Sequence, residues 1–320
     1  MTLWPGRPPL APAEQAALLQ RLAPDIGRTL FGLRIDPAAL LPAVERVYLP
    51  LAAWVAARKG PGALVLGISG GQGSGKSTMT ALLRVILQGG FGLRVAALSM
   101  DDIYLTRAER ERLAGAVHPL LLTRGVPGTH DVALGIKVID ALRRAGPGDT
   151  VPIPSFDKAA DDRRPEGEWP RHLGPADVIL FEGWCLGASP EEDAALREPV
   201  NQLEATEDQG GRWRRYVNDR LRGEYRDLWA QLDVIVMLKV PGMDQVFEWR
   251  WLQERKLAEA HATTGAPGTR IMDEAGVRRF VMHYERTTRH LLAEMPGRAD
   301  VVLHVNQAHQ VDRITVKHPG

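Results

Sequence analysis

The chain has 320 residues, and its 40 Lys plus Arg nearly balance 39 Asp plus Glu, for a formal net charge of +1. That length suits one large α/β domain or a domain with an appendage, and the charge balance lacks the basic excess that marks a nucleic-acid binder. A single cysteine, Cys185, excludes an internal disulfide framework, suits a reducing compartment and reads as a small packing residue. No apolar run approaches about 18 residues, so no membrane span is expected. The first residues lack a basic segment followed by an apolar one, so no secretory leader is expected. The expected setting is cytoplasmic, with no membrane or nucleic-acid partner.

Residues 1–12 are proline-rich and read as an extended arm. Ala13 to Leu22 is helical in pattern. Asp36-Pro37 reads as an N-cap followed by proline at the first helical position. Leu40, Leu41, Val44, Val47 and Tyr48 continue that helix, with an interruption expected near Pro50 and a resumption through Trp54. Lys59-Gly60-Pro61-Gly62 is a breaker. Residues 1–60 are expected to form a helical cap packed on a main domain of residues 61–320.

Ala63 to Leu66 is an apolar strand, and Gly67 to Thr78 follows as a glycine-rich loop. Met79, Leu82, Leu83 and Ile86 then share one face of a helix. Gly70, Gly75, Lys76 and Ser77 fill the phosphate-loop (Walker A) template between that strand and that helix. Glycines let successive N–H groups converge on a phosphate chain at the positive end of the helix. The expected ATP-binding residues are Gly70, Gly71, Gln72, Gly73, Ser74, Gly75, Lys76, Ser77 and Thr78. Lys76 would reach the β- and γ-phosphates, and Ser77 would hold Mg²⁺.

Gly89-Gly90 is expected to stop the helix. Leu93 to Leu98 reads as a second strand, running into Ser99-Met100-Asp101-Asp102-Ile103-Tyr104. Thr106 and Glu109 make a capping-box pair. Residues 117–130 are irregular, and a helix is expected from Asp131 to Arg144. A short strand near Val151–Ile153 leads into a polar loop, Ser155 to Pro165. Asp177 to Glu182 is a buried-type strand. A helix is expected over 212–232, a strand over Val234–Leu238 and a helix over Asp244–Ala260. A Gly/Thr/Pro loop over 262–270, a helix through Val277 to Met295, a strand over Asp300–Val305 and a short one near Ile314–Val316 complete the chain. Alternating strands and helices imply an α/β fold: a mostly parallel sheet with helices on both faces, plus the N-terminal helical extension.

In such a sheet, ligands bind at the carboxyl ends of the strands. Asp101 ends the second strand, where a carboxylate can orient an acceptor hydroxyl and take its proton. The alternative is a turn or helix-cap aspartate, a role that suits Asp102 better. Glu182 ends an apolar strand, the place of a Walker B acid that holds Mg²⁺; the alternative is a structural ion pair.

The phosphate loop, Ser-Met-Asp-Asp-Ile-Tyr and Phe181-Glu182-Gly183 together resemble the P-loop kinases related to uridine kinase, phosphoribulokinase and pantothenate kinase. Four further stretches are similar to the ATP-dependent D-glycerate 3-kinase branch: His118–Leu121 with Arg124-Gly-Val-Pro-Gly-Thr-His-Asp131, Phe156-Asp157-Lys158, Phe181–Trp184 and His283–Arg286. The resemblance spans about residues 60–310, and it implies Asp101 as catalytic base with Lys76 as the phosphate lysine. It further implies that Tyr104, His130, Asp131 and the Phe156–Lys158 loop face the acceptor. Glycerate needs a cation for its carboxylate, which Arg124, Lys158 or Arg163 can supply, and acceptors for its hydroxyls, which Asp131 or Asp157 can supply. Arg250, Arg255 and Lys256 match the lid of these kinases, within a lid region around 245–275. Asn306 to His309 are expected to border the adenine.

The function expected is transfer of the γ-phosphoryl of Mg-ATP to a hydroxyl of D-glycerate, giving 3-phosphoglycerate. One rival is the same chemistry on uridine or pantothenate. For a stacked nucleoside, however, residues 104–165 offer only Tyr104 and Phe156. The other rival is a nucleotide-dependent switch or binding module, which needs neither Asp101 nor the 117–131 loop.

Overall fold

The computed structural model describes residues 3–264 and 272–317. Six strands form the central sheet: β1 (Leu64–Gly70), β2 (Val95–Ser99), β3 (Val178–Gly183), β4 (Val234–Lys239), β5 (Val301–Val305) and β6 (Val311–Val316). Their spatial order is β6-β5-β4-β1-β3-β2. The first five are parallel, and β6 returns antiparallel to β5 at one edge.

Strand alternation explains why both faces of this sheet are covered. Leu64, Leu66 and Ile68 of β1, Val178 and Leu180 of β3, and Val236 and Leu238 of β4 face one core cluster. Val65, Ile179, Phe181, Met237 and Val302 face the other. Apolar residues at successive positions therefore serve opposite faces, which is the pattern of a parallel sheet between helical layers.

The helices are α1 (Pro12–Gly32), α2 (Pro37–Ala43), α3 (Leu49–Ala56), α4 (Lys76–Phe91), α5 (Arg107–Ala116), α6 (Val132–Arg144), α7 (Gln202–Glu207), α8 (Arg212–Arg222), α9 (Glu224–Trp229), α10 (Met243–Thr264) and α11 (Glu274–Glu294). Asp36 caps α2 by accepting from the Ala38 amide. Thr106 and Glu109 form a reciprocal capping box on α5.

Three local expectations differ from what is observed. The helix does not break at Pro50. A π-helical turn, Val44–Tyr48, joins α2 to α3, so Pro50 sits in the first turn of α3, where its missing N–H is tolerated. Gly89 and Gly90 do not stop α4, which runs on to Phe91 and ends at Gly92 in the left-handed conformation. Those two glycines are a contact: a Cβ at Gly89 would lie 2.7 Å from Leu22 Cδ2, and one at Gly90 would lie 3.0 Å from Leu18 Cδ1. Small residues there let α1 lie close against α4. The helix expected over 212–232 is two helices, parted at Gly223.

Residues 3–60 share a core with the sheet: Trp4, Leu22, Ile26, Val47, Leu51 and Trp54 belong to the same cluster as β1 and α4. One helical stretch, Pro37–Ala56, is long and apolar enough to cross a membrane by length and composition, and 56% of its window is buried inside the fold. The polar 155–165 segment is a small hairpin, Phe156–Asp157 against Asp162–Arg163. Residues 150–152 pair with 171–173 in a second ribbon. Of the expected 262–270 loop, residues 265–270 lie outside the described residues.

Candidate active site

The phosphate loop bridges the end of β1 and the start of α4. Gly73 and Gly75 adopt positive φ, +76° and +95°, where a side chain would strain the turn. Gly73 also has no room for a Cβ, which would fall 2.8 Å from Trp249 Cβ on α10. The Lys76 ammonium donates to the Gly71 carbonyl at 3.0 Å. Burial lowers its pKa, while the Glu182 and Asp101 carboxylates act to raise it.

Strand register brings the other polar groups to this loop. Ser99, at the end of β2, pairs with Glu182 on β3. Glu182 Oε1 accepts from Ser77 Oγ and from Ser99 Oγ, each at 3.1 Å. Three neighbouring elements thus place two hydroxyls on one carboxylate oxygen. This all-oxygen set is of the kind that suits a hard cation. Sequence reasoning missed Ser99; its place at the strand end, two residues before Asp101, was the available signal.

Asp101 sits in the 3₁₀ turn after β2, with its amide bonded to Ser99 Oγ at 3.2 Å. Its Oδ1 accepts from the Tyr104 hydroxyl at 2.7 Å, and its Oδ2 from Lys158 Nζ at 2.5 Å. Burial alone would raise this carboxyl. The Lys158 charge and hydrogen bond, the Tyr104 hydroxyl and Lys76 outweigh it and hold the carboxyl below its usual range. Its neighbour Asp102 accepts from the Phe156 amide at 3.1 Å and so anchors the hairpin. Burial, helped by the Asp101 charge and opposed by that amide, pushes Asp102 up to about 6.

Tyr104 and His130 are joined by a backbone bridge, and their rings stack with centroids 4.8 Å apart. Phe156 meets the Tyr104 ring edge-on at 5.2 Å. His130 Nδ1 lies 2.6 Å from the Tyr225 hydroxyl. Burial pushes His130 down to about 3, so it is neutral at physiological pH.

The Arg124–Asp131 loop owes its shape to aromatic residues from distant parts of the chain. Trp184 Nε1 donates to the Gly125 carbonyl at 2.9 Å, and the Tyr284 hydroxyl donates to the Arg124 carbonyl at 2.9 Å. The Gly128 amide donates to the Tyr225 hydroxyl at 2.8 Å. Gly125 and Gly128 have φ of +127° and +94°, and Tyr284 and Tyr216 fill the space a side chain would need. The motif glycines therefore serve both conformation and close approach. His283–Arg286 contributes in a similar way: Arg286 binds the fully buried Glu204 through two hydrogen bonds, 2.8 and 2.7 Å, tying α11 to α7.

The remaining charges expected at the acceptor site are each held by an ion pair. Asp131 caps α6 through the Leu134 amide, 3.0 Å, and accepts from Arg163 at 2.9 Å. Arg124 pairs with Asp161, and Arg110, fully buried, donates to the Asp161 and Leu122 carbonyls. Asp157 closes a turn on the Ala159 and Ala160 amides and pairs with Arg164 at 2.6 Å. The structure thus brings Lys76, Ser77, Glu182, Asp101, Tyr104, His130 and Lys158 together. It engages Arg124, Asp131, Asp157 and Arg163 in the scaffold around them.

On α10, Arg250 pairs with Glu254 at 2.7 Å and lies over the Phe280 ring. Arg255 lies 6.0 Å over Trp251, and both Arg255 and Lys256 are exposed. In the β5–β6 turn, His309 donates from Nε2 to the Gly73 carbonyl at 2.5 Å and stacks on Trp249 with centroids 3.7 Å apart.

No protein-family model matches the chain. An uncharacterised kinase of Schizosaccharomyces pombe is 33% identical over 227 residues, covering 69% of this chain and 78% of that protein. A chloroplastic D-glycerate 3-kinase of Arabidopsis thaliana is 31% identical over 245 residues; the match covers 74% of this chain and half the length of that protein. The solved structure of a Cryptococcus neoformans D-glycerate 3-kinase superposes with a TM-score of 0.67 at 26% identity, covering 84% of this chain and 97% of that one. The Walker A loop, the strand-end acids and these likenesses together show that the chain belongs to the P-loop kinase family that contains these proteins.

Proposed function

We propose that this protein is an ATP-dependent D-glycerate 3-kinase, which moves the γ-phosphoryl of Mg-ATP to a hydroxyl of D-glycerate and yields 3-phosphoglycerate. The observation that carries the chemistry is the convergence of Lys76, Ser77, Glu182 and Asp101 at the carboxyl ends of β1, β2 and β3. The likeness to D-glycerate 3-kinases supports the acceptor.

Lys76 and the loop amides bind the phosphates. Lys76 leaves the Gly71 carbonyl to do so, exchanging one acceptor for another. Ser77 and Glu182 would hold Mg²⁺, with Ser99 fixing the carboxylate; the cation would supply neutralisation of phosphate charge. Asp101 is ionised near neutrality and accepts the acceptor hydroxyl's proton as the new O–P bond forms. Lys158, already at Asp101, is the cation we assign to an acceptor carboxylate. Arg250 is paired to Glu254, and the exposed Arg255 and Lys256 are the α10 cations we assign to the transferred phosphoryl. We also place the protein in the cytoplasm, on its lone, buried cysteine.

An acceptor panel tests the reading. Purified protein with Mg-ATP is given D-glycerate, L-glycerate, uridine or pantothenate, and ADP release is followed. Stimulation by D-glycerate above all others is expected. Stimulation by a nucleoside with none by glycerate would overturn it.

A further inference from the structure

The phosphate loop is gripped from outside by two segments far from it in sequence. Val246 and Trp249, both buried in the first turns of α10, pack on its glycines. A Cβ at Gly71 would lie 3.2 Å from Val246 Cγ2, and one at Gly73 would lie 2.8 Å from Trp249 Cβ. From the β5–β6 turn, His309 stacks on the Trp249 ring with centroids 3.7 Å apart and meets the Gly73 carbonyl through Nε2 at 2.5 Å. A carbonyl only accepts, so Nε2 carries the ring hydrogen there.

The turn that presents His309 is itself fixed. His309 has a φ of +61°, a left-handed conformation uncommon outside glycine. Its amide donates to the Asn306 carbonyl at 3.0 Å, the Asn306 amide donates to the Gln310 carbonyl at 2.8 Å, and Asn306 Oδ1 accepts the Gln310 amide at 3.0 Å. Backbone of this kind persists where its surroundings over-determine it. Here it aims one N–H at one loop carbonyl.

That carbonyl matters because of the peptide it belongs to. The Gly73–Ser74 peptide is trans, so its C=O and N–H point opposite ways. With the oxygen on His309, the Ser74 amide turns to the Gly71 carbonyl at 3.2 Å, the oxygen that also accepts Lys76 Nζ at 3.0 Å. A glycine at position 73 lets this peptide rotate at little steric cost. Rotation would turn an oxygen, in place of an N–H, toward the side where Lys76 and the loop amides are to meet an anionic chain.

We propose that His309 is a positioning residue for phosphate binding: its Nε2–H, braced by the Trp249 ring, holds the Gly73 carbonyl and so keeps the loop amides set for a triphosphate. His309 then acts on the phosphate chain through the loop, and not on the base that its place after β5 suggested. The inference rests on phosphate binding by the loop, which is part of the function proposed above, and is independent of the acceptor.

Isothermal titration of the full-length protein with Mg-ATP and, separately, with magnesium tripolyphosphate tests this, since tripolyphosphate has the phosphate chain and no base. His309→Phe keeps an aromatic ring for Trp249 and removes the donor. His309→Asn suits the left-handed backbone and ends short of Gly73. His309→Gln can place an N–H near the position of Nε2. The Phe and Asn variants are expected to raise Kd for both ligands by the same factor, about fivefold or more, and the Gln variant to stay within about twofold of wild type. Unfolding midpoints of the variants, measured without ligand, are expected to match wild type, which separates loss of positioning from loss of fold.

Weakened ATP binding with unchanged tripolyphosphate binding would make His309 a base contact and overturn the proposal. Unchanged binding of both ligands in the Phe and Asn variants would overturn it too, as would a Gln variant as weak as those two. A wild type that binds neither ligand would overturn the proposed function and this inference with it.

Discussion

Lys158 Nζ lies 2.5 Å from Asp101 Oδ2, so the carboxylate proposed to receive the acceptor's proton is paired with a cation before any substrate arrives. The two residues are 57 positions apart, and the hairpin anchored by Asp102 brings them together. The Lys158 charge helps hold the Asp101 carboxyl below its usual range, and it leaves an exposed ammonium beside that carboxylate.

Replacing Asp101 by Asn should leave ATP affinity near wild type, because no phosphate ligand is lost. Turnover should fall by roughly 10²- to 10⁴-fold, the usual contribution of a general base. Nucleotide titration and steady-state rates separate the two effects. Near-normal turnover would remove Asp101 from the chemistry.

Lys158→Met should move the acid limb of the kcat/KM profile to higher pH. Asp101 acts as a base only when ionised, and Lys158 helps hold its carboxyl below the usual range. Without that charge, protonation sets in at a higher pH, and activity is lost sooner on acidification. An acid limb that stays in place would show that the profile reports another group.

Asp102 makes a different prediction. Burial raises its folded pKa to about 6, above the value of an unfolded aspartate. Between roughly pH 4 and 6 the folded state therefore binds more protons than the unfolded state. The stability contributed by this group is present at the acid end of that window and is lost as pH rises through about 6. Asp102→Asn keeps an oxygen for the Phe156 amide and removes the buried charge. It should be at least as stable as wild type at pH 8, by about 1 kcal/mol, and the difference should shrink toward pH 5. Urea titrations at the two pH values measure this.

Gly125→Ala should destabilise the fold by roughly 3 kcal/mol, since it combines a side chain at positive φ with overlap onto the Tyr284 ring. Denaturant unfolding measures the loss. A neutral result would mean that the loop can leave Tyr284 freely.

The sheet and the phosphate loop were legible because their signals are local: apolar runs of strand length, and a loop template with fixed spacing. The strand-end positions of Asp101 and Glu182 were legible because strands in such sheets present polar residues at their carboxyl ends. Gly89 and Gly90 were misread as a stop because the reason for them lies on another helix, at Leu18 and Leu22. Tyr225 reaches His130 across 95 residues, and Tyr284 reaches Arg124 across 160, so no window of sequence contains either contact. Arg124, Asp131, Asp157 and Arg163 looked like acceptor ligands because type and neighbourhood were all the sequence offered. Their charged partners, Asp161 for Arg124, Arg164 for Asp157, and Arg163 with Asp131, appear only once the hairpin is folded.

The most direct test of the central claim is the identity of the product. Purified protein, Mg-ATP and D-glycerate are incubated together, and the organic phosphate formed is identified by ³¹P NMR against authentic 2- and 3-phosphoglycerate. The account predicts 3-phosphoglycerate formed in step with ADP, and its loss in Asp101→Asn. ADP release with no phosphoglycerate, or glycerate-independent hydrolysis at the same rate, would contradict it.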